Sequence, residues 1–554
     1  MGVFRFVPAW PAAIAMALAL ALRLAIFPGS GAPPQSDEIG YLTDGLLVAE
    51  GITPGYKFVP AAPTAWLSAG YAAAAGLLRL AGNDADVAAA SPALRPIAGL
   101  DRALFAIYSD LTPLHMVVAA CLLALCLAGI GAAARIGERT AGTLGGLAGG
   151  GLAALVPIFM ALSVQTRPYA AAWSLALLSC AAASSQLRSR GIWAGIFLGL
   201  AVASRIDLAL AFPLVIWFST TTAAGGRGLR EAGCIMGVAA IAFLVAAPWY
   251  LTHLLGNLRY VVSIRFLDPA GQGHGLGGVA MLLWQEGLLG ASVLLIVGTL
   301  LALRRQRIAG ATVLLYLIVL AWSLLHPSAF GLRHQGAFVV AVIALLPWAM
   351  DNIVGSIRGR FGTPAMGVML AIVLIPAGYQ ALLRVGEIRD DSVAAPWVEW
   401  IEANVPAGTA IYSSEAWRLP LPTRESGLAL WNQVAAPDAW RLKLTAGMAR
   451  FGLDSATLPH ALSEEHMYQE RANRRRYFML AQPWDKLRPR YDFHPYSDGS
   501  AFDLSHQEAI DAVCRHGGVL VARGRPPDGL GPPTVSWANG RGGVFIFVRQ
   551  SQGC

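Results

Sequence analysis

Two adjacent carboxylates, Asp37 and Glu38, stand shortly after the first apolar run of the chain. Acids paired at a partly dry position can divide the work of a displacement. One takes a proton from an attacking hydroxyl, and the other orients a partner or binds a cation. Tyr41 and Asp44 follow at helical spacing, which predicts a short helix that turns these side chains inward. Cations are the natural counterpart. Arg167 precedes Pro168-Tyr169, and proline suits the first turn of a helix. A cation is not favoured at that end of the dipole, so Arg167 makes sense if an anion shares the site. Arg205, Arg259, Arg265 and Arg333 have the planar fork that matches phosphate at two points. His334 can bind the same anion or donate a proton. Asp207, His274, Tyr169, Tyr56 and Lys57 complete the substrate-binding set.

Those residues act together only if the chain brings them to one side of a membrane, and its composition calls for one. Of 554 residues, 56% are hydrophobic and 13% charged, far from the roughly one-quarter charged share of a soluble domain. Apolar runs of the length a bilayer requires predict eleven crossings: 8–27, 113–134, 142–162, 168–184, 191–204, 206–220, 232–251, 278–302, 309–325, 335–350 and 362–381. The net charge of +8 lies wholly in residues 1–383, which carry 22 basic and 14 acidic residues; residues 384–554 carry 19 of each. That placement argues against nucleic-acid binding and for orientation by basic loops. With the N-terminus in the cytoplasm, 12 of the 22 basic residues fall in short cytoplasmic segments, among them Arg135, Arg139, Arg188, Arg190, Arg227, Arg230 and Arg305. The first crossing reads as an uncleaved anchor.

Two outer regions are large. The first loop, 28–112, contains an apolar stretch from Ala65 to Leu78 with charged and Pro-rich flanks, which predicts a helix lying along the membrane. Residues 382–554 have balanced charge and alternating segments such as Thr409–Tyr412 and Gly542–Val548, which predict a soluble α/β domain after a transmembrane domain of 1–381. Its Arg474-Arg475-Arg476 run reads as a solvated helix face. Cys121, Cys126, Cys180 and Cys234 fall in membrane runs and read as small packing residues. Cys514 and Cys554 lie where oxidation is permitted and can form a disulfide. The glycines Gly145-Gly146 and Gly149-Gly150-Gly151 suit close helix packing.

In order and topology the chain resembles the GT-C glycosyltransferases that use polyprenyl-phosphate sugars, close to family 39 with its protein O-mannosyltransferases and lipid A aminoarabinose transferases. Ser36-Asp37-Glu38-Ile39-Gly40-Tyr41 resembles their first-loop Asp-Glu-x-x-Tyr motif. Ser163 through Tyr169 resembles an Arg-Pro-Tyr signature, and Pro327 through His334 a late outer loop. The chain departs from the pattern at Gln165-Thr166, where many relatives carry an acid, and at Leu332-Arg333-His334 in place of Arg-Tyr.

The resemblance implies a GT-C fold and an inverting transfer at the outer face of a bacterial inner membrane. The donor would be a sugar on a polyprenyl monophosphate, and the acceptor an envelope glycan, lipid or protein. Asp37 would be the general base with Glu38 as helper, and arginines such as Arg205, Arg259 and Arg333 would take the charge on the leaving phosphate. No cofactor is expected, a divalent cation is the less favoured arrangement, and the protein is expected to act as a monomer among membrane lipids. Competing readings are a transporter or flippase of a lipid-linked or anionic substrate, a polymerase or ligase using polyprenyl-diphosphate glycans, and a structural or sensory membrane protein.

Overall fold

The computed structural model describes residues 10–27, 36–49, 61–90, 92–93, 95–109, 112–222, 228–251, 276–325, 331–357, 362–392, 400–401, 403–413, 492–495, 505–524, 529–539 and 542–550. The chain opens with α1 (Trp10–Leu24), then α2 (Ser36–Ala49), α3 (Ala62–Ala81), α4 (Ala85–Ala89) and α5 (Arg95–Ser109) of the segment expected as the first outer loop. The membrane body follows with α6 (Thr112–Leu155), α7 (Pro157–Leu162), α8 (Pro168–Ala183), α9 (Arg190–Ser204), a 3-10 helix (Ile206–Ala211), α10 (Phe212–Thr222), α11 (Gly228–Ala246) and α12 (Pro248–Leu251). It closes with α13 (Leu276–Gln285), α14 (Leu289–Arg305), α15 (Arg307–Leu325), a 3-10 turn (Gly331–His334), α16 (Gly336–Ser356) and α17 (Gly362–Ser392).

Helix α6 is 44 residues long but is not one rod. Ala141 and Gly142 leave helical geometry, Gly142 with a φ of +67° that favours glycine. Beyond them the chain returns on itself. A Cβ placed on Gly149 would lie 2.7 Å from the carbonyl oxygen of Ala133, and one on Gly150 would lie 2.7 Å from the Ala134 side chain. Residues sixteen apart in a straight helix are separated by roughly 24 Å, so these contacts require a hairpin. The glycine-rich run therefore does what its composition suggests, letting two backbones approach, and the expected crossings 113–134 and 142–162 are the two arms.

Four helices among the described residues are long and apolar enough to span a bilayer, the α6 hairpin being one of them. The expected crossing 278–302 takes a different form. It bends by 115° between α13 and α14, at Gly287 with a φ of +65°, where a side chain would run into Ala377 of α17. The last expected crossing, 362–381, also continues helically to Ser392, because Val385 and Ile388 keep packing against the membrane core.

Charged groups form two layers. At one, Arg139 donates to the carbonyl of Ala181 at 2.6 Å and to Ser184 at 3.1 Å. There too Arg190 grips Glu231 with three contacts of 2.6–2.9 Å, and the Ser219 hydroxyl donates to the same carboxylate at 2.8 Å. These are segments that the loop charges assign to the cytoplasm. At the other end of α8 and α9 stand Tyr169 and Arg205.

Helices α2, α3 and α5 pack beside that second layer. Leu42 and Leu46 of α2, Ala72 of α3 and Leu104 and Ile107 of α5 share a buried cluster with Leu114, Val118 and Leu122 of α6. Helix α3 includes the predicted membrane-lying stretch. It exposes Leu77 and Leu78 and is fixed at its start by Trp66, whose indole N–H donates to the Ala246 carbonyl at 2.7 Å.

In the C-terminal region α18 (His506–His516) covers one face of a five-stranded sheet of β1 (Ala410–Ser413), β2 (Asp492–Pro495), β3 (Gly518–Gly524), β4 (Val535–Asn539) and β5 (Gly542–Arg549). Their order is β2-β1-β3-β5-β4. β1 runs parallel to β2 and β3, while β5 is antiparallel to β3 and β4. Alternation places Val519, Val521 and Ile546 in one buried cluster and Leu520, Ala522 and Phe547 in another with α18. Cys514 is disulfide-bonded; its expected partner Cys554 lies outside the described residues. Cys121, Cys126, Cys180 and Cys234 are free thiols.

Candidate active site

Helix α9 stops at Ser204 because Arg205 is extended, with φ −152° and ψ 119°. The 3-10 helix restarts at once and carries Asp207 in its first turn. This break sets Arg205 among the ends of three other elements. Its Nε donates to Asp207 Oδ1 at 2.9 Å, and its Nη2 lies 3.4 Å from His334 Nδ1. The guanidinium sits 4.1 Å over the ring of Tyr169, whose hydroxyl is 3.4 Å from His334 Nε2. Burial opposes the charge on Arg205, but the Asp207 carboxylate and the phenols of Tyr169 and Tyr41 outweigh it, and the net shift of its pKa is upward. Arg205 Nη1 and Asp207 Oδ2 are both buried without a hydrogen-bond partner among the described atoms.

Five residues singled out from sequence thus converge: Tyr41, Tyr169, Arg205, Asp207 and His334. Arg333 shares the turn of His334, and Arg167 stands at the N-cap of α8, with φ −70° and ψ 143°. Tyr56, Lys57, Arg259, Arg265 and His274 lie outside the described residues. Among the described residues no three His, Cys, Asp or Glu gather as a metal site would require.

Of the acidic pair expected as base and helper, the structure describes the surroundings of Glu38. Both residues lie in the first turn of α2; the side chain of Asp37 is not among the described atoms. Glu38 is buried and fully engaged. Its Oε1 accepts from the Thr166 N–H at 2.8 Å and the Thr166 hydroxyl at 3.3 Å, and it lies 3.2 Å from His115 Nε2. The Thr64 hydroxyl in turn donates to the Thr166 carbonyl at 2.9 Å. Glu38 therefore ties the first loop to the segment that presents Arg167 and Tyr169. Thr166, which marks a departure from the family pattern, is the anchor of that tie. Sequence reasoning passed over His115; its signal was a lone imidazole at the mouth of an apolar run.

A lateral cavity of about 230 Å³ lies between α10, α15 and α16 and reaches Leu210 of the 3-10 helix that carries Asp207. Its lining is almost wholly apolar, from Leu210 of the 3-10 helix through Trp217, Val313, Tyr316 and Val319 to Leu345. The Tyr316 hydroxyl donates to the Leu210 carbonyl at 2.9 Å, which fixes the 3-10 helix between cavity and Arg205.

No family model matches the chain, and no curated protein does. Among solved structures it is similar to the oligosaccharyltransferase of Archaeoglobus fulgidus in the apo form, with 12% identity and a TM-score of 0.41 over 75% of this chain and 63% of that one. The chain thus spans less than two thirds of that protein's length. It is also similar to ArnT from Cupriavidus metallidurans in the apo state, with 11% identity and a TM-score of 0.43 over 96% of this chain and 97% of that one. For ArnT bound to undecaprenyl phosphate the identity is 13% and the TM-score 0.40. What this chain does is carried by its own side chains.

Proposed function

We propose that the chain is an inverting membrane glycosyltransferase that moves a sugar from a polyprenyl-monophosphate carrier to a hydroxyl of an envelope acceptor, at the outer face of a bacterial inner membrane. The observation that carries this reading is Arg205. It is a buried guanidinium held by Asp207 and Tyr169, with Nη1 left for an incoming acceptor atom, and the 3-10 helix that follows it leads through Leu210 to an apolar cavity that suits an isoprenoid tail. A lipid phosphate has that pairing of anionic head and apolar tail; a nucleotide sugar does not.

In the proposed reaction Asp37 takes the proton of the acceptor hydroxyl. The hydroxyl oxygen bonds to the anomeric carbon as the bond from that carbon to the phosphate oxygen breaks. The bonding pair leaves with the polyprenyl phosphate, and Arg205 with His334 stabilises the charge that appears there. Glu38 holds the loops together and takes no proton. The outer α/β domain is suited to recognising the acceptor.

Photo-crosslinking tests the placement. A polyprenyl phosphate with a diazirine in the tail should label peptides of α10 and α15 around Trp217 and Tyr316, and an Arg205→Gln variant should lose most of that labelling. Equal labelling by the uncharged polyprenol, or label confined to other helices, would overturn it.

A further inference from the structure

Between α6 and α7 the backbone leaves helical geometry at a single residue, Val156, with φ −57° and ψ 114°. The hydrogen-bond ladder runs up to Val156, whose N–H donates to the Leu152 carbonyl, and resumes at Met160, whose N–H donates to the Val156 carbonyl, each at 2.9 Å. Pro157 has no N–H to give. The next rung of a continuous helix would join the Ile158 N–H to the Ala154 carbonyl. That rung is severed, and each half has found a charged partner. Ile158 N–H donates to Glu286 Oε2 at 2.7 Å, from the bend between α13 and α14. The Ala154 carbonyl accepts from Arg23 Nη1 at 3.0 Å, from the last turn of α1.

The signs are the favourable ones. A cation meets the carbonyl end of one helix and an anion the amide end of the next. Arg23 is fully buried, and ions in an apolar interior are costly unless something compensates them. Its Nε donates to the Ser163 hydroxyl at 2.7 Å, and Ser163 donates to the Met160 carbonyl at 2.7 Å. Ser163 begins the segment in which Thr166 is bound by Glu38 and Arg167 caps α8.

We infer that Arg23 and Glu286 are a pair of positioning residues for the active site. Each takes one half of the severed Ala154–Ile158 hydrogen bond, and together they fix the direction of α7 and so the placement of the Ser163–Tyr169 segment. Their consequence for turnover rests on the glycosyltransferase reading; the exchange of hydrogen-bond partners does not.

Hydrogen–deuterium exchange on the full chain in nanodiscs separates the two. In Glu286→Leu the amides of 156–162 should exchange about tenfold to a hundredfold faster, the loss expected for a hydrogen bond to a charged group. Glu286→Gln keeps an acceptor and should restore most of the protection. Arg23→Leu should speed exchange in 163–169, where the Ser163 bond is lost, and Arg23→Lys should fall between it and wild type. Unchanged exchange in both leucine variants would overturn the inference, as would a speed-up spread evenly over all helices or no rescue by Glu286→Gln. If wild type turns over no polyprenyl donor, the glycosyltransferase reading fails, while the exchange pattern still decides the role of the pair.

Discussion

Replacing Arg205 by lysine keeps the positive charge and removes the geometry, so Arg205→Lys asks what the geometry is worth. Three features are lost: the stacking 4.1 Å over Tyr169, the Nε bond to Asp207 at 2.9 Å and the second prong that meets a phosphate. Stacking of a desolvated cation on an aromatic ring contributes about 0.5–2 kcal/mol. That interaction and the Asp207 bond are present before and after the sugar leaves, so their loss weakens the fold or the donor complex more than the rate. The second prong bears on the rate, because charge grows on the phosphate during transfer. A preorganised donor to such charge is worth about 2.7–4 kcal/mol, or a hundredfold to a thousandfold in kcat. Lysine recovers part of it as a point charge, which sets the expected fall in kcat at about 30-fold to 100-fold. The donor KM should change by less than about fivefold, since ground-state binding retains the tail and the charge. Initial-rate transfer in nanodiscs at saturating donor measures this. A kcat within about threefold of wild type, a rise of less than about 0.7 kcal/mol in the barrier, would refute the assignment of Arg205 to the leaving phosphate.

Other outcomes follow from the same geometry. Glu38→Gln keeps an oxygen for the Thr166 N–H and should retain much of the turnover, whereas Asp37→Asn should abolish it; equal losses would mean that Glu38 is more than a tie. Glu38→Leu leaves Thr166 and His115 without that acceptor and should lower stability by about 1.5–3 kcal/mol, read as the midpoint of thermal unfolding. A side chain at Gly45 would run into the Ala65 carbonyl and Ser68, so Gly45→Val should cost about 1–3 kcal/mol and displace α2. Gly70→Val, on the same outer loop with open space around it, should be silent in the same melting assay. In the C-terminal region the amide and hydroxyl of Ser505 hold the Glu508 carboxyl below its usual range. A group with a depressed native pKa adds stability above its unfolded value and loses it as pH falls through the native one. Protection of the His506–His516 amides should therefore drop on acidification through the carboxylate range; Ser505→Ala, which keeps the amide donor, should weaken that pH dependence, and Glu508→Gln should remove it.

Much of the layout was legible because a bilayer limits the vocabulary. Apolar runs located the arms of the α6 hairpin, α8 and α9, and Tyr169 and Arg205 stand at the end of α8 and α9 away from Arg139 and Arg190. Arg205, Tyr169 and His334 lie far apart in the chain, yet each follows or precedes a crossing that ends on the same side. Other features were hidden for physical reasons. The bond from the Thr166 amide to Glu38 was hidden because neighbouring acids on a helix look alike until the partner is placed. The bend between α13 and α14 comes from one glycine pressed against Ala377, a tertiary contact with no local signature. Arg23 and Glu286 escaped notice because an isolated charge near the end of an apolar run reads as orientation or snorkelling. Their role appears only when Pro157 is seen to sever a hydrogen bond whose two halves they receive.

The central claim is that this site removes a sugar from a polyprenyl monophosphate, and a donor panel tests it most directly. The full chain in nanodiscs would be given polyprenyl-phosphate sugars, polyprenyl-diphosphate sugars and the matching nucleotide sugars, with Asp37→Ala in parallel, and sugar release or transfer would be measured. The account predicts turnover of a monophosphate-linked donor alone, lost in Asp37→Ala. Turnover of a nucleotide sugar or a diphosphate-linked donor in its place, or full turnover in Asp37→Ala, would contradict it.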